Sequence, residues 1–252
     1  MNTINPYVKS ALVLICILIL IRSESQAQDE GKKARLGLTV YPTLAWISPD
    51  NTGYNNDGTQ LGIKYGLTAD LRLFENDNYS FATGFLIHHT GGKLSYPTAT
   101  GSLPITVPGN IESKYKLTYI DIPLAIKLRT AEIGYMRYWG LFGTELGFNI
   151  SANEVRKETF ASESNEEDRN ADEINLIRFA LVFGAGIEYN ISGNTHLVGG
   201  VSYSNGLSNI ISGDANLVEN GVARIDENGE TIKDGKLKTR LNYFSLHIGV
   251  IF

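Results

Sequence analysis

The sequence predicts an all-β fold: an eight-stranded antiparallel up-and-down transmembrane β-barrel with long extracellular loops and short periplasmic turns. Three observations carry that expectation. Eight segments alternate with period two between clusters of turn residues, and convincing helical periodicity is absent. The connections between them alternate strictly between long and short. Where the alternation is cleanest, one face is apolar from end to end and the other mixes glycine with charge.

Residues 1–27 read as a secretory signal peptide, with Lys9, an apolar run over 11–21 and the small-residue site Ser25, Gln26, Ala27. The run is well short of the roughly 20 residues a spanning helix needs. Cleavage after Ala27 leaves residues 28–252 as one outer-membrane β-barrel domain. The single cysteine, Cys16, leaves with the leader, and Ile15 before it lacks the small side chain of a lipoprotein signal. A chain without cysteine has no disulfide and no thiolate zinc site. Removing Lys9, Arg22 and Glu24 takes away a net charge of +1, so the formal −5 becomes −6. Mild acidity argues against nucleic acid as a partner. No long uncharged apolar run follows the leader, which excludes a helical membrane protein.

The first segment, 35–47, is followed by a long polar stretch over 48–61. The second, 62–74, sets Ile63, Tyr65, Leu67, Ala69, Leu71 and Leu73 against Lys64, Gly66, Thr68, Asp70 and Arg72. A tight turn, "ENDN" at 75–78, leads into the third, 79–94. After a polar stretch over 95–113 comes the fourth, 114–128, and "TAEIGYMR" at 130–137 turns into the fifth, 138–151. Residues 152–174 form the next long connection. The sixth, 175–190, reads Ile177, Phe179, Leu181, Phe183, Ala185, Ile187, Tyr189 on one face and Arg178, Ala180, Val182, Gly184, Gly186, Glu188 on the other. "ISGN" at 191–194 turns it into the seventh, 195–207. The last long connection, 208–238, carries "DENGET" and is expected to form a small hairpin above the membrane. The eighth segment, 239–252, sets Phe244, Leu246, Ile248, Val250 and Phe252 against Tyr243, Ser245, His247 and Gly249.

An eight-stranded barrel is only just wide enough for its own side chains, so the bulky face must point outward and the glycine-and-charge face inward. A soluble, lipocalin-like barrel inverts this arrangement, because an outward apolar band in water is an aggregation surface. The segments exceed the roughly 9–11 residues that cross a bilayer when tilted, so their surplus should project as an outer rim. Phe74, Tyr79, Tyr135, Tyr138, Trp139, Tyr189 and Phe252 cluster beside the short turns, as a periplasmic aromatic girdle requires. The expected location is the cell outer membrane of a Gram-negative envelope, as a multi-pass barrel.

The stretch "KYKLTYIDIPLAIKLRT" in the fourth segment, with its tyrosine, Ile-Asp-Ile-Pro-Leu and basic end, resembles the hallmark of the PorT-like outer-membrane β-barrel family. The closing "FSLHIGVIF" resembles the signal read by the outer-membrane assembly machinery, through Phe244, Ile248, Val250 and Phe252. The resemblance covers the mature chain in layout and these two stretches in residues. It implies a barrel fold, outer-membrane lipid as surroundings and assembly-dependent insertion.

Candidate chemistry lies inside. Lys64, Arg72, Lys127 and Arg178 face Asp70, Asp121, Glu145 and Glu188, and equal numbers of opposite charges in a narrow, dry lumen are expected to pair into a plug. The alternative is a polar path for a small solute. His88, His196 and His247 face inward without metal-ligand spacing, so no metal and no cofactor is expected. His89 faces outward near the outer leaflet, where a lipid-modifying barrel enzyme would hold a catalytic histidine, yet no serine or acid partner is evident and no enzyme is expected. Pro123, mid-strand and lumen-facing, is expected to mark a bulge. The stretch over 153–173 has eight acidic residues against Arg156, Lys157 and Arg169 and reads as a solvated, mobile loop that could engage divalent cations or a basic partner. The function expected is structural, binding or envelope-assembling, with the loops contacting an envelope or extracellular protein.

Overall fold

The structure is a computed structural model and describes residues 34–74, 78–102, 105–161 and 163–252. The leader and most of the 75–78 turn lie outside the described residues. Among the described residues, eight long strands carry the barrel: β1 (Ala34–Pro49), β2 (Gln60–Arg72), β3 (Tyr79–Ser102), β4 (Ile105–Arg129), β5 (Met136–Phe160), β6 (Ile177–Ser192), β7 (Thr195–Gly206) and β8 (Thr239–Ile251). Each is antiparallel to its sequence neighbours, and β1 pairs with both β2 and β8, so the sheet closes on itself. Closure reaches Phe252, whose N–H donates to the Leu36 carbonyl at 2.8 Å and whose carbonyl accepts from Leu36 N–H at 3.0 Å. A closed sheet leaves no unpaired edge in lipid, which is the condition for strands to span a membrane.

The side chains divide as the alternation requires. Leu36, Leu38, Leu67, Phe142, Val201 and Phe244 are 53–60% exposed on the outside, far too many large apolar groups for a wall facing water. Lys64, Asp70, Asp121, Lys127, Glu145, Arg178 and Glu188 are buried in the lumen. No helix among the described residues is long and apolar enough to cross a membrane.

The surplus strand length is unevenly spent. β3, β4 and β5 run to 24, 25 and 25 residues. Their outer halves, joined by a short strand Glu163–Asn170 that pairs with β5, form a sheet standing above the membrane. The expected loops over 95–113 and 152–174 are therefore corrected: both are strand pairs, and the acidic stretch is a hairpin arm with regular register from Asn153↔Asn170 to Phe160↔Glu163. The connection over 208–238 does form small hairpins, Asp214–Asn216 with Lys233–Lys236 and Val218–Glu219 with Val222–Ala223. At its tip, the backbone N–H of Glu230 and that of Asn228 donate to Asp226, each at 2.9 Å, which holds this carboxyl below its ordinary value.

Pro123 needs a different account from the one expected. It sits opposite Glu145 in unbroken β4–β5 register, while towards β3 the ladder steps from Ala82↔Ala125 to Leu86↔Asp121 with register kept. A missing donor opens the ladder there without inserting a residue, so Pro123 marks an interruption and not a bulge. Pro42 does the same between β1 and β8, where pairing skips from Val40↔Ile248 to Thr43↔Ser245. The bulge beside β4 lies higher, between Thr118 and Tyr119.

Candidate functional site

The lumen is filled in three layers. Nearest the periplasm, β4 supplies Lys127 and Arg129, β2 supplies Asp70 and β6 supplies Glu188. Lys127 Nζ donates to Asp70 at 3.0 Å and lies 2.7 Å from Glu188. Arg129 donates to Glu188 from Nε at 3.0 Å, to Ser80 at 3.1 Å, and to Asp70 through Nη2. Arg35 of β1 adds a further bond to Glu188 at 2.9 Å. Arg72 lies on the same face of β2 as Asp70, half-buried and two residues nearer the turn.

The second layer is fully enclosed. Arg178 bridges Glu145 at 2.6 Å and Asp121 at 3.1 Å. Lys64 donates to Glu145 at 2.8 Å and to the Tyr243 hydroxyl at 2.9 Å, and that hydroxyl donates on to Glu145. His88 closes the layer through Nδ1, 2.8 Å from Asp121. The guanidinium lies 5.4 Å from the ring centres of both Tyr119 and Tyr243, a placement in which the aromatic faces add to its stabilisation. Two cations and two carboxylates thus balance where an isolated ion would be expensive to bury.

Between these layers lies a cavity of about 80 Å³ whose lining includes Tyr41, Pro123, Trp139, Ser202 and His247. Trp139 is 4% exposed, which corrects its assignment to the aromatic girdle. Its ring packs 5.2 Å from His247 and lies under Lys127 Nζ, 5.2 Å away. Glycines make the room: a Cβ would come within 2.6 Å of the ring at Gly186 and 2.4 Å at Gly200. Phe74, Tyr79, Tyr135, Tyr138, Tyr189 and Phe252 stay exposed as expected. Trp139→Ala is therefore expected to cost about 3–5 kcal/mol of stability, the range for emptying a packed aromatic site. Urea unfolding in lipid vesicles measures it, and an equal loss from Tyr138→Ala would contradict the lumenal role.

The third layer, at the extracellular mouth, is apolar. Ile210 and Ile211, 1% and 0% exposed, dip from the 208–238 connection into a core with Ile47, Leu94, Leu117, Leu237 and Leu241. Backbone bonds hold them there: Ile210 N–H donates to Thr239 at 2.9 Å, Asn175 N–H donates to Ile210 at 2.8 Å, and Ile211 bridges to Ile174. Asn209 ties the segment further, accepting from Thr239 N–H at 2.7 Å and donating to the Leu237 carbonyl at 2.6 Å. In the same core, Tyr54 stacks on Tyr96 at 4.7 Å and accepts from Asn216 N–H at 2.9 Å.

Seven of the eight expected interior charges are buried and take part in the two ionic layers just described, and Arg72 is half-buried at the end of β2. Missed were Arg35 and Arg129, which continue the inward parity at strand ends, and Tyr243 and His88 as bonding partners. The apolar doublet Ile210–Ile211, isolated in a polar connection, was the available signal for the mouth. Among the histidines, His88 and His196 are buried and His247, half-buried, bonds Ser202 at 2.7 Å. His89 is exposed on the outer wall, 3.1 Å from the Thr118 hydroxyl and 3.5 Å from that of Tyr65. Among the described residues no group of three or more His, Cys, Asp or Glu is placed to hold a metal. The row Phe244, Ile248, Val250 and Phe252 faces outward along β8, with Val250 partly covered.

The sequence model of the outer membrane protein beta-barrel domain matches residues 26–212. A comparison with curated proteins finds no match. Among solved structures, Neisserial surface protein A is 11% identical, with 87% of this chain and 96% of that one covered at a TM-score of 0.40. Ail, the attachment invasion locus protein of Yersinia pestis, is 16% identical over 88% and 100% of the two chains at 0.38. The outer membrane protein OprG from Pseudomonas aeruginosa is 12% identical over 87% and 96% at 0.36.

Proposed function

The chain belongs to the outer membrane protein β-barrel domain family, and on that premise we propose that it is a non-conducting binding protein of the outer membrane. Its extracellular sheet takes a basic, extended segment of an envelope or extracellular protein. The observation that carries this reading is the edge strand Glu163–Asn170. It pairs with β5 on one side, and among the described residues no strand pairs with its other side. An open edge is a template for strand addition. Glu163, Glu166, Glu167 and Asp168 are exposed along it and form no ion pair among the described residues, so an added strand must be basic to be tolerated.

Other features support the same reading. The buried ion pairs and the apolar mouth, stacked along the bore, support a non-conducting reading. His89 touches hydroxyls and no carboxylate among the described residues, which favours a binding role over an enzymatic one. Within the family we propose the PorT-like branch, on the strand-four motif in which Asp121 anchors the enclosed ionic layer. We further propose that the assembly machinery reads β8 through its outward row.

The test is a photo-crosslinking residue at Asn165 in intact cells, with Glu132 in a short turn as the control site. A discrete protein adduct is expected at 165 and not at 132, and it should disappear when Glu163, Glu166, Glu167 and Asp168 are replaced by their amides. Absence of any adduct, or steady single-channel conductance by the parent in planar bilayers, would overturn the reading.

A further inference from the structure

The outer wall carries an unpaired cationic patch at one height. On β4 the outward row reads Leu128, Ile126, Leu124, Ile122, Ile120, then Thr118, Lys116 and Lys114. The apolar part ends at Ile120. From there to Lys116 the strand climbs about 13 Å, or roughly 10 Å along the membrane normal at a tilt of about 40°. That places Lys116 and Lys114 in the headgroup layer above the hydrocarbon.

Two features make the patch unusual. Lys114 lies directly opposite Lys93 of β3, with Lys116 next on the same row. Like charges directly opposite destabilise a strand pair. The adjacent Lys157 has Glu112 within 4.0 Å, whereas Lys93, Lys114 and Lys116 form no ion pair among the described residues. Beside them the wall opens. The β2–β3 ladder ends at Ile63↔His89, although β2 continues to Gln60 against β1. A groove of about 400 Å³ results, lined by Gln60, His89, Lys116, Thr118, Ser151 and Asn153 among others. Gly91 lies opposite Lys116, and the Gln60 amide occupies the space a side chain there would take.

We propose that this groove and lysine patch bind the phosphorylated sugar headgroup of an outer-leaflet glycolipid. The lysines neutralise its phosphate, the amides and hydroxyls of the groove meet its sugar, and its acyl chains lie along the apolar rows below. An anion held between Lys93 and Lys114 turns their mutual repulsion into a shared attraction. A free anion would meet the same lysines, but only a lipid also uses the apolar wall beneath them. This site is separate from the edge strand, and its success or failure leaves the protein-binding reading untouched.

The experiment places the folded chain in phosphatidylcholine nanodiscs containing a small fraction of diphosphoryl lipid A or its dephosphorylated form, and counts retained lipid by native mass spectrometry. Expected is at least tenfold greater retention of the phosphorylated lipid by the parent. K93Q/K114Q/K116Q should reduce that retention to the dephosphorylated level, while K157Q leaves it unchanged. The triple variant should also unfold at higher urea than the parent in neutral detergent, with the order reversed once lipid A is present. Equal retention of both lipids, full retention by the triple variant, or complete displacement by millimolar inorganic phosphate would overturn the proposal.

Discussion

Arg178→Ala is expected to lower the unfolding free energy by about 3–5 kcal/mol, the range measured when one member of a buried ion pair is removed. Among the described residues the guanidinium is the sole permanent cation within ion-pair distance of Asp121, whose other partner is the His88 imidazole, and it shares Glu145 with Lys64. Truncation therefore strands one carboxylate more than the other. Glu145 keeps Lys64 and the Tyr243 hydroxyl, whereas Asp121 keeps only the histidine. That asymmetry gives the prediction its diagnostic form. Arg178→Ala combined with Asp121→Asn should recover much of the loss, because the second change removes the orphaned charge. Arg178→Ala combined with Glu145→Gln should recover less, since it frees Lys64 from its carboxylate. Urea unfolding of the folded chain in lipid vesicles measures all three. A single variant that unfolds with the parent, or equal recovery by both second changes, would show that the layer is not organised around Arg178.

What could be read before the fold was known follows from where lipid imposes a rule. Across the membrane each strand must present apolar groups outward, so the parity of Leu67 against Lys64 and Asp70, or Phe183 against Arg178 and Glu188, was legible residue by residue. Above the membrane that rule lapses. The arm from Asn153 to Asn170 is polar on both faces and held by backbone pairing, so it carries no period to distinguish a strand from a loop. Trp139 was misplaced for a different reason. Nearness to a turn suggested the girdle, yet Tyr138 and Gly140 face out and alternation puts Trp139 in the lumen. Seven members of the charge network were legible by the same parity, whereas Arg35 and Arg129 at the strand ends and the contacts themselves were not. Glu145 pairs across β5–β6 with Ala180, and Gly147 with Arg178, so the 2.6 Å bridge is a diagonal neighbour created by strand register. A single sequence does not contain that register.

Ile211→Asp is expected to release the mouth without opening the lumen. Ile211 is wholly buried among Ile47, Leu94, Leu117 and Leu241, where an unpaired carboxylate has no compensating partner. Retaining it there would cost more than withdrawing the segment, since each large aliphatic side chain contributes about 1.5–3 kcal/mol through burial. The segment that carries Ile210, Ala215 and Leu237 should therefore swing into water, with its hairpins following. The eight spanning strands keep their ladders, because the bonds lost join Ile210 to Thr239 and Asn175 at the rim. Protease added outside proteoliposomes should cut the variant between residues 208 and 238 at least tenfold faster than the parent, while the barrel itself keeps its heat-modifiable migration. Conductance should stay absent, because Arg178 with its two carboxylates and the Lys127, Arg129, Asp70 and Glu188 layer still fill the bore below. Unchanged cleavage would mean that the doublet does not hold the connection in place. Steady conductance by the variant would mean that the apolar mouth alone seals the barrel, and that the ionic layers beneath it pass solute.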